Sequence, residues 1–325
     1  TSSINVPQTD TSERPLGDLL AAPSDDMIGV SLTGLDVGVG VFEATLNSLL
    51  PEGFQIPQMI TVKASSSELE LLLGQLSNEI VVEARDVAVN VNYGGKFLGG
   101  LARPVIDYRS SFETEEGSND GFLEVPTGAD PVVLDYDGSA RIGGDINKIT
   151  LQISDFIHIT GSVAFEQGPV YRVETSGGLI GALLGDDALD GLIPDEIPLD
   201  VDSPELAFLS LGASNVHAFI GINGPYWQDA DGDFEIDRDP TTHKIVAAEI
   251  NDKAAGLLID DFDFGLAFMK PTNPALSFLK YVALKATAEQ ISVVGIPNVT
   301  INAEQLLIEA NLSSPTVYGV PIFPT

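Results

Sequence analysis

Cysteine is absent from the chain, which excludes a disulfide framework, a thiolate nucleophile and Cys-ligated zinc. Positive charge is scarce. Only 15 Lys and Arg stand against 48 Asp and Glu, for a net charge of −33 over 325 residues. Nucleic acid and anionic membrane surfaces both require a basic face, so neither is an expected partner. No apolar run approaches the ~20 residues of a transmembrane helix, so no membrane-spanning segment is expected. The opening stretch TSSINVPQTDTSERP also lacks the basic-then-apolar order of a signal peptide.

The groups that enzymes most often use are thin as well. The three histidines, His158, His217 and His243, show no HxxxH or HExxH spacing, and hydrogen-bonded or exposed imidazoles are the expectation for them. GxSxG and GxxxxGK[ST] are missing, so the glycine pairs Gly94-Gly95, Gly99-Gly100 and Gly143-Gly144 read as turns. Acid clusters such as Asp260-Asp261 with Asp263, Asp186-Asp187 with Asp190, and Glu113 with Glu115-Glu116 follow from abundance alone and read as a solvated skin. No catalytic residue is assigned.

What is present is aliphatic alternation. With 44% apolar residues the chain can bury a real core. From Ile28 onward apolar residues recur two apart, broken at intervals by an odd step. Val30 and Leu32 step by three to Leu35, Val37, Val39 and Val41. Ile60, Val62 and Ala64 step by five to Leu69 and Leu71, and Ile80, Val82 and Ala84 step by three to Val87, Val89 and Val91. The same order of steps returns about 220 residues later, at Ile259 to Phe262, Ala286 to Ile291 and Ala303 to Leu306, with Gly29, Asp36, Gly38, Lys63-Ala64 and Asn92 echoed by Gly256, Asp263, Gly265, Lys285-Ala286 and Asn311. Ile153 to Phe156 and Ala213 to Val216 add further steps of three. Short helices are expected at Glu43 to Leu50, Gly177 to Leu192 and Pro274 to Lys280.

The stretch Trp227 to Asp239, WQDADGDFEIDRD, concentrates acid. Asp229, Asp231, Asp233, Glu235 and Asp237 occupy loop positions 1, 3, 5, 7 and 9, and Asp239 follows. Carboxylates crowded in this way repel unless a hard cation with oxygen ligands neutralises them, and calcium fits that description. The spacing resembles the DxDxDG-type calcium loops of EF-hands and, without flanking helices, of many bacterial surface proteins. It departs from the helical version in carrying Phe234 and Pro240 where a Gly and a bidentate Glu are usual. Closure would then fall to Asp237 or Asp239. Asp135-Tyr136-Asp137-Gly138 is a weaker second candidate, and Trp227 reads as packing beneath the loop more than as a sugar-stacking platform.

Together, the acidic loop, the repeat, the acidity and the missing cysteine resemble giant repetitive extracellular proteins of bacteria, the adhesin-like class that includes RTX- and VCBS-bearing chains. No GGxGxD array occurs, so the RTX motif itself is not part of the likeness. The resemblance implies an extracellular or cell-surface, non-enzymatic module rigidified by Ca2+, with calcium and other copies or neighbouring repeats as partners. The expected fold is mostly β, built as β-solenoid-like stacked strand units with short helices, or alternatively as tandem β-sandwich domains. The expected organisation is a linker over 1–26, a first β block over 27–223, the calcium junction over 224–244 and the start of a second block over 245–325. Two alternatives stay open: an extracellular carbohydrate-active enzyme or polysaccharide-binding module using Asp/Glu pairs, and a halophilic β protein whose charge serves solvation only.

Overall fold

The computed structural model describes residues 28–51, 53–76, 79–97, 103–112, 117, 121–175, 203–228, 236–241, 245–246, 250–314, 316–317 and 320–321. The mostly β expectation holds: 65% of the described residues are strand and 6% helical. Its main feature is one open antiparallel sheet of ten strands. These are β1 (Ile28–Thr33), β2 (Asp36–Phe42), β3 (Met59–Leu73), β4 (Ile80–Gly94), β7 (Arg141–Ile153), β8 (Ile157–Arg172), β9 (Glu205–Ile222), β10 (Ala255–Pro271), β11 (Lys280–Val294) and β12 (Ile301–Ser314). β1 and β2 lie end to end along β3, and from there each strand pairs with the next in the order β3-β4-β7-β8-β9-β10-β11-β12. Two small hairpins pair outside this ladder, β5 (Leu123–Val125) with β6 (Val132–Leu134) and β13 (Thr316–Val317) with β14 (Val320–Pro321).

The strand units therefore lie side by side in a single meander. Neither the stacked coils of a solenoid nor two facing sandwich sheets is seen among the described residues. Alternation sorts residues onto two faces but does not say what those faces meet. The helix expectations shrink to single 3₁₀ turns, Thr45–Leu49 and Pro274–Leu276, and the stretch from Gly177 to Leu192 lies outside the described residues. Gly143 and Gly144 are not turn residues. They sit inside β7, where a Cβ on Gly144 would come 3.1 Å from the Phe165 ring.

The pleat gives the sheet its two sides. One cross-strand row runs Val37, Ala64, Val89, Gly144, Phe165, Leu211, Leu266, Leu284, Ala310, apolar from edge to edge. The next row runs Gly38, Lys63, Asn90, Gly143, Glu166, Ser210, Ala267, Ala283, Asn311, small or polar throughout. On the aliphatic side Val39, Val41, Phe165, Phe268, Ile308 and Leu312 remain exposed.

Three buried clusters cap the other side. Tyr108, Leu134 and Tyr136 pack with Phe42 and Val132 over β2 and β3. This cap needs glycine beneath it: a Cβ on Gly38 would sit 2.6 Å from Val132 Cγ1, and one on Gly40 2.8 Å from the Tyr108 hydroxyl. The Tyr136 hydroxyl donates to the Val62 carbonyl at 2.9 Å, and burial pushes its pKa up to about 12. Asp107 caps the short helix α1 (Tyr108–Ser111) by accepting from the Ser110 amide at 3.1 Å. The second cluster joins Leu206, Leu276, Leu279 and Tyr281, and the third joins Phe219, Trp227, Ala254 and Leu258.

A crease crosses the strands where the apolar series takes its odd steps. Gly34, Asp86, Asn215, Asp261 and Gln305 each adopt a positive φ between 49° and 60°. Each falls inside one of the three-residue steps, where one extra residue lets the strand bend while the apolar series keeps its face. The step from Ile153 to Phe156 differs: it is the tight turn between β7 and β8, with Ser154 at φ 50°.

The two ends of the sheet repeat each other's register. Asp36 faces Ser65 as Asp263 faces Thr287, and Gly38 faces Lys63 as Gly265 faces Lys285. Thr61 faces Asn92 as Ala283 faces Asn311. Even the skipped residues correspond. Ser67 and Asp86 drop out of the β3–β4 ladder as Glu289 and Gln305 drop out of β11–β12. Thus β1 with β2, β3 and β4 correspond in pairing to β10, β11 and β12.

Because Phe219 is fully buried in the third cluster, Phe219→Ala is expected to cost about 3–5 kcal/mol. Urea unfolding followed by far-ultraviolet circular dichroism checks this, and a loss below about 1 kcal/mol would show that the cluster does not form.

Candidate functional site

The acidic segment begins where β9 ends and returns at β10. Its two ends are tied together by Asn251, whose side-chain amide donates to the Asn223 and Pro225 carbonyls at 2.8 and 2.9 Å, while its backbone amide donates to Tyr226 at 2.7 Å. Antiparallel bridges between Trp227 and Ile250 and between Arg238 and Ile245 align the outgoing and returning chain. The loop thus has a closed neck on the capped side of the sheet.

Trp227 lies under that neck. It is buried against Phe219, Ala254 and Leu258, and its ring meets the His217 ring edge-on with centroids 5.9 Å apart. This is a packing role with no open face for a sugar ring.

The anchor itself is an ion cluster. Asp260 on β10 is buried, and one of its oxygens, Oδ1, takes two donors: Arg238 Nη2 at 2.7 Å and His217 Nδ1 at 2.6 Å. A carboxylate only accepts, so Nδ1 carries a proton, and His217 Nε2 faces Asn215 Oδ1 at 2.9 Å. Burial alone would push the Asp260 carboxyl up, but the His217 and Arg238 donors outweigh it and hold it below the usual carboxylate range. Burial likewise opposes the Arg238 charge, and Asp260 overcomes it. The Arg238 guanidinium is in this way fastened to the crease of the sheet, next to Asn215 and Asp261.

Of the candidate calcium ligands, Asp229, Asp231, Asp233 and Glu235 lie outside the described residues. Asp237 and Asp239 flank Arg238. The Asp237 side chain is exposed while its carbonyl accepts from the Val246 amide at 3.0 Å, and Asp239 Oδ1 accepts from the Thr241 amide at 2.9 Å. Among the described residues no three His, Asp or Glu side chains converge on one point. The second candidate is turned to protein cations instead, Asp135 to Lys63 at 3.0 Å and Asp137 to Arg141 at 3.8 Å. His158 is buried beside Phe219, and burial lowers its pKa. His243 lies outside the described residues.

Sequence reasoning missed the anchor because His217, Arg238 and Asp260 are far apart along the chain and meet only through the β9–β10 register and the loop between those strands. One signal was available, a single arginine in a run of carboxylates. A groove of ≈ 860 Å³ also follows the crease, with Asp36, Asp86, Asp145, Ser65, Ser67 and Asn147 spaced along its lining. Among the described residues no helix is long and apolar enough to cross a membrane. Comparison with family models, curated proteins and solved structures gives no match.

Arg238→Met leaves the buried Asp260 with one donor fewer and is expected to cost about 2–4 kcal/mol in urea unfolding. A second expectation follows from the depressed Asp260 pKa. Its contribution is fully present above the ordinary carboxylate range and is lost as pH falls through the folded value, because the unfolded state takes up the proton first. The stability difference between wild type and Asp260→Asn, measured from pH 7 to pH 2, should therefore shrink with acidification; a difference that stays constant would contradict the ionised assignment.

Proposed function

We propose that this chain is a non-enzymatic structural module of a large extracellular or cell-surface protein, in which Ca2+ held by the loop from Asp229 to Asp239 stiffens the sheet and repeating strand units continue edge to edge. The observation that carries the proposal is the fastening of Arg238 to Asp260, the same carboxylate oxygen that His217 holds. Order imposed on the acidic loop by a cation is transmitted directly to β9 and β10. Without a cation the loop carboxylates repel one another beside a fixed arginine; with one, their charge is neutralised and the chain beyond the neck is held in place.

The net charge of −33 supports the same reading, since it favours divalent cations and disfavours polyanions. The side-by-side strand units support a module that gains length by adding strands, a quasi-one-dimensional array built from a sheet. In this reading the uncapped aliphatic face and the open edges are surfaces for neighbouring repeats.

The test is thermal unfolding in millimolar calcium against chelator at constant ionic strength. Calcium at one hundred times its dissociation constant is expected to add about 2.7 kcal/mol, and replacing Asp229, Asp231 and Asp233 together by Asn should remove the effect. A melting temperature that follows total salt and ignores calcium would overturn the metal assignment and leave charge as solvation alone.

A further inference from the structure

The outer edge of β12 has no ladder partner among the described strands. Its counterpart in pairing, β4, is an interior strand whose second edge carries β7. The correspondence is exact in the ladder: Thr61 faces Asn92 as Ala283 faces Asn311, and both strands break pairing at a positive-φ residue, Asp86 and Gln305. β12 is therefore an interior-type strand at the rim of the sheet.

We propose that the free edge of β12 accepts a β7-type strand from another repeat of this kind, in the register that β7 holds on β4. The proposal rests on the reading of the chain as an assembling module and adds to it the partner and the alignment. Transposing the β4–β7 ladder places Ile301 opposite Leu151 of the incoming strand, Leu306 opposite Ile146 and Asn311 opposite Arg141. Apolar positions then meet on the aliphatic face, where Ile301 and Ile308 are exposed. Charge is complementary at one position of the new pairing. On β4 the residue opposite Lys148 is Arg85, a like charge; on β12 the equivalent position is Glu304. Opposite charges directly across a ladder attract and like charges repel.

The experiment uses the full chain and a fluorescent peptide of residues 141–153, followed by anisotropy in calcium and in chelator. Saturable binding is expected from this peptide and none from a scrambled one. Glu304→Lys, an exposed substitution, should weaken binding about threefold, and the Lys148→Glu peptide should restore it on that variant. Circular dichroism melts confirm that the variant stays folded. Absence of saturable binding to the folded chain, or binding indifferent to Glu304→Lys, would overturn the inference. Calcium-dependent stability without peptide binding sinks the edge pairing alone, whereas peptide binding without calcium-dependent stability sinks the metal and leaves the edge pairing standing.

Discussion

The backbone ladder between long antiparallel strands is the interaction on which this molecule depends. With one sheet and no second sheet facing it among the described residues, continuous hydrogen bonding and cross-strand side-chain pairs, each worth about 0.2–1 kcal/mol, carry the strands between the local caps. The caps stiffen three places: the tyrosine cluster over β2 and β3, the Leu206–Leu279 cluster, and the Trp227 cluster over β9 and β10. Between them the sheet bends along its crease, where extra residues at positive φ let strands of up to 18 residues curve without breaking the ladder.

Such a sheet has a consequence at its rims. Natural sheets protect their edges with charge, proline or cover, because an open row of amides and carbonyls is a template for pairing. β1, with the sequence IGVSLT, carries no charge at all, and β12 carries Glu304 and Glu309 beside exposed Ile301, Ile308 and Leu312. Such edges are what the proposed edge-to-edge pairing would use. The acidic loop works at a different level. Its arginine is locked to the crease by Asp260, which His217 also holds, so the acid-rich segment is coupled to the point where the sheet bends.

Much of the fold was legible in the sequence because the aliphatic face imposes a period of two on every strand. The odd steps were legible too, since Leu32 to Leu35 spans Gly34 and Ile259 to Phe262 spans Asp261, both at positive φ. What alternation could not reveal was the number of layers: Val37, Val39 and Val41 would read identically facing a second sheet, a coil or another molecule. The step from Ile153 to Phe156 misled in the same way, because a tight turn and a bulge both insert one residue. The candidate site was legible as composition and opaque as geometry. Asp237 and Asp239 were visible as acids, but the anchor joins residues from two strands and a loop, and no spacing along the chain encodes the register that brings His217 to Asp260.

Residue-resolved amide exchange under native conditions tests the central structural claim most directly. If the ten strands form one open sheet, amides of β4 and β7 through β11 should be protected at consecutive positions. Those of β12 and of β1 with β2 should alternate between protected and fast, since only one edge of each is bonded. Alternation in an interior strand such as β4, or consecutive protection along β12 in the isolated chain, would contradict the account.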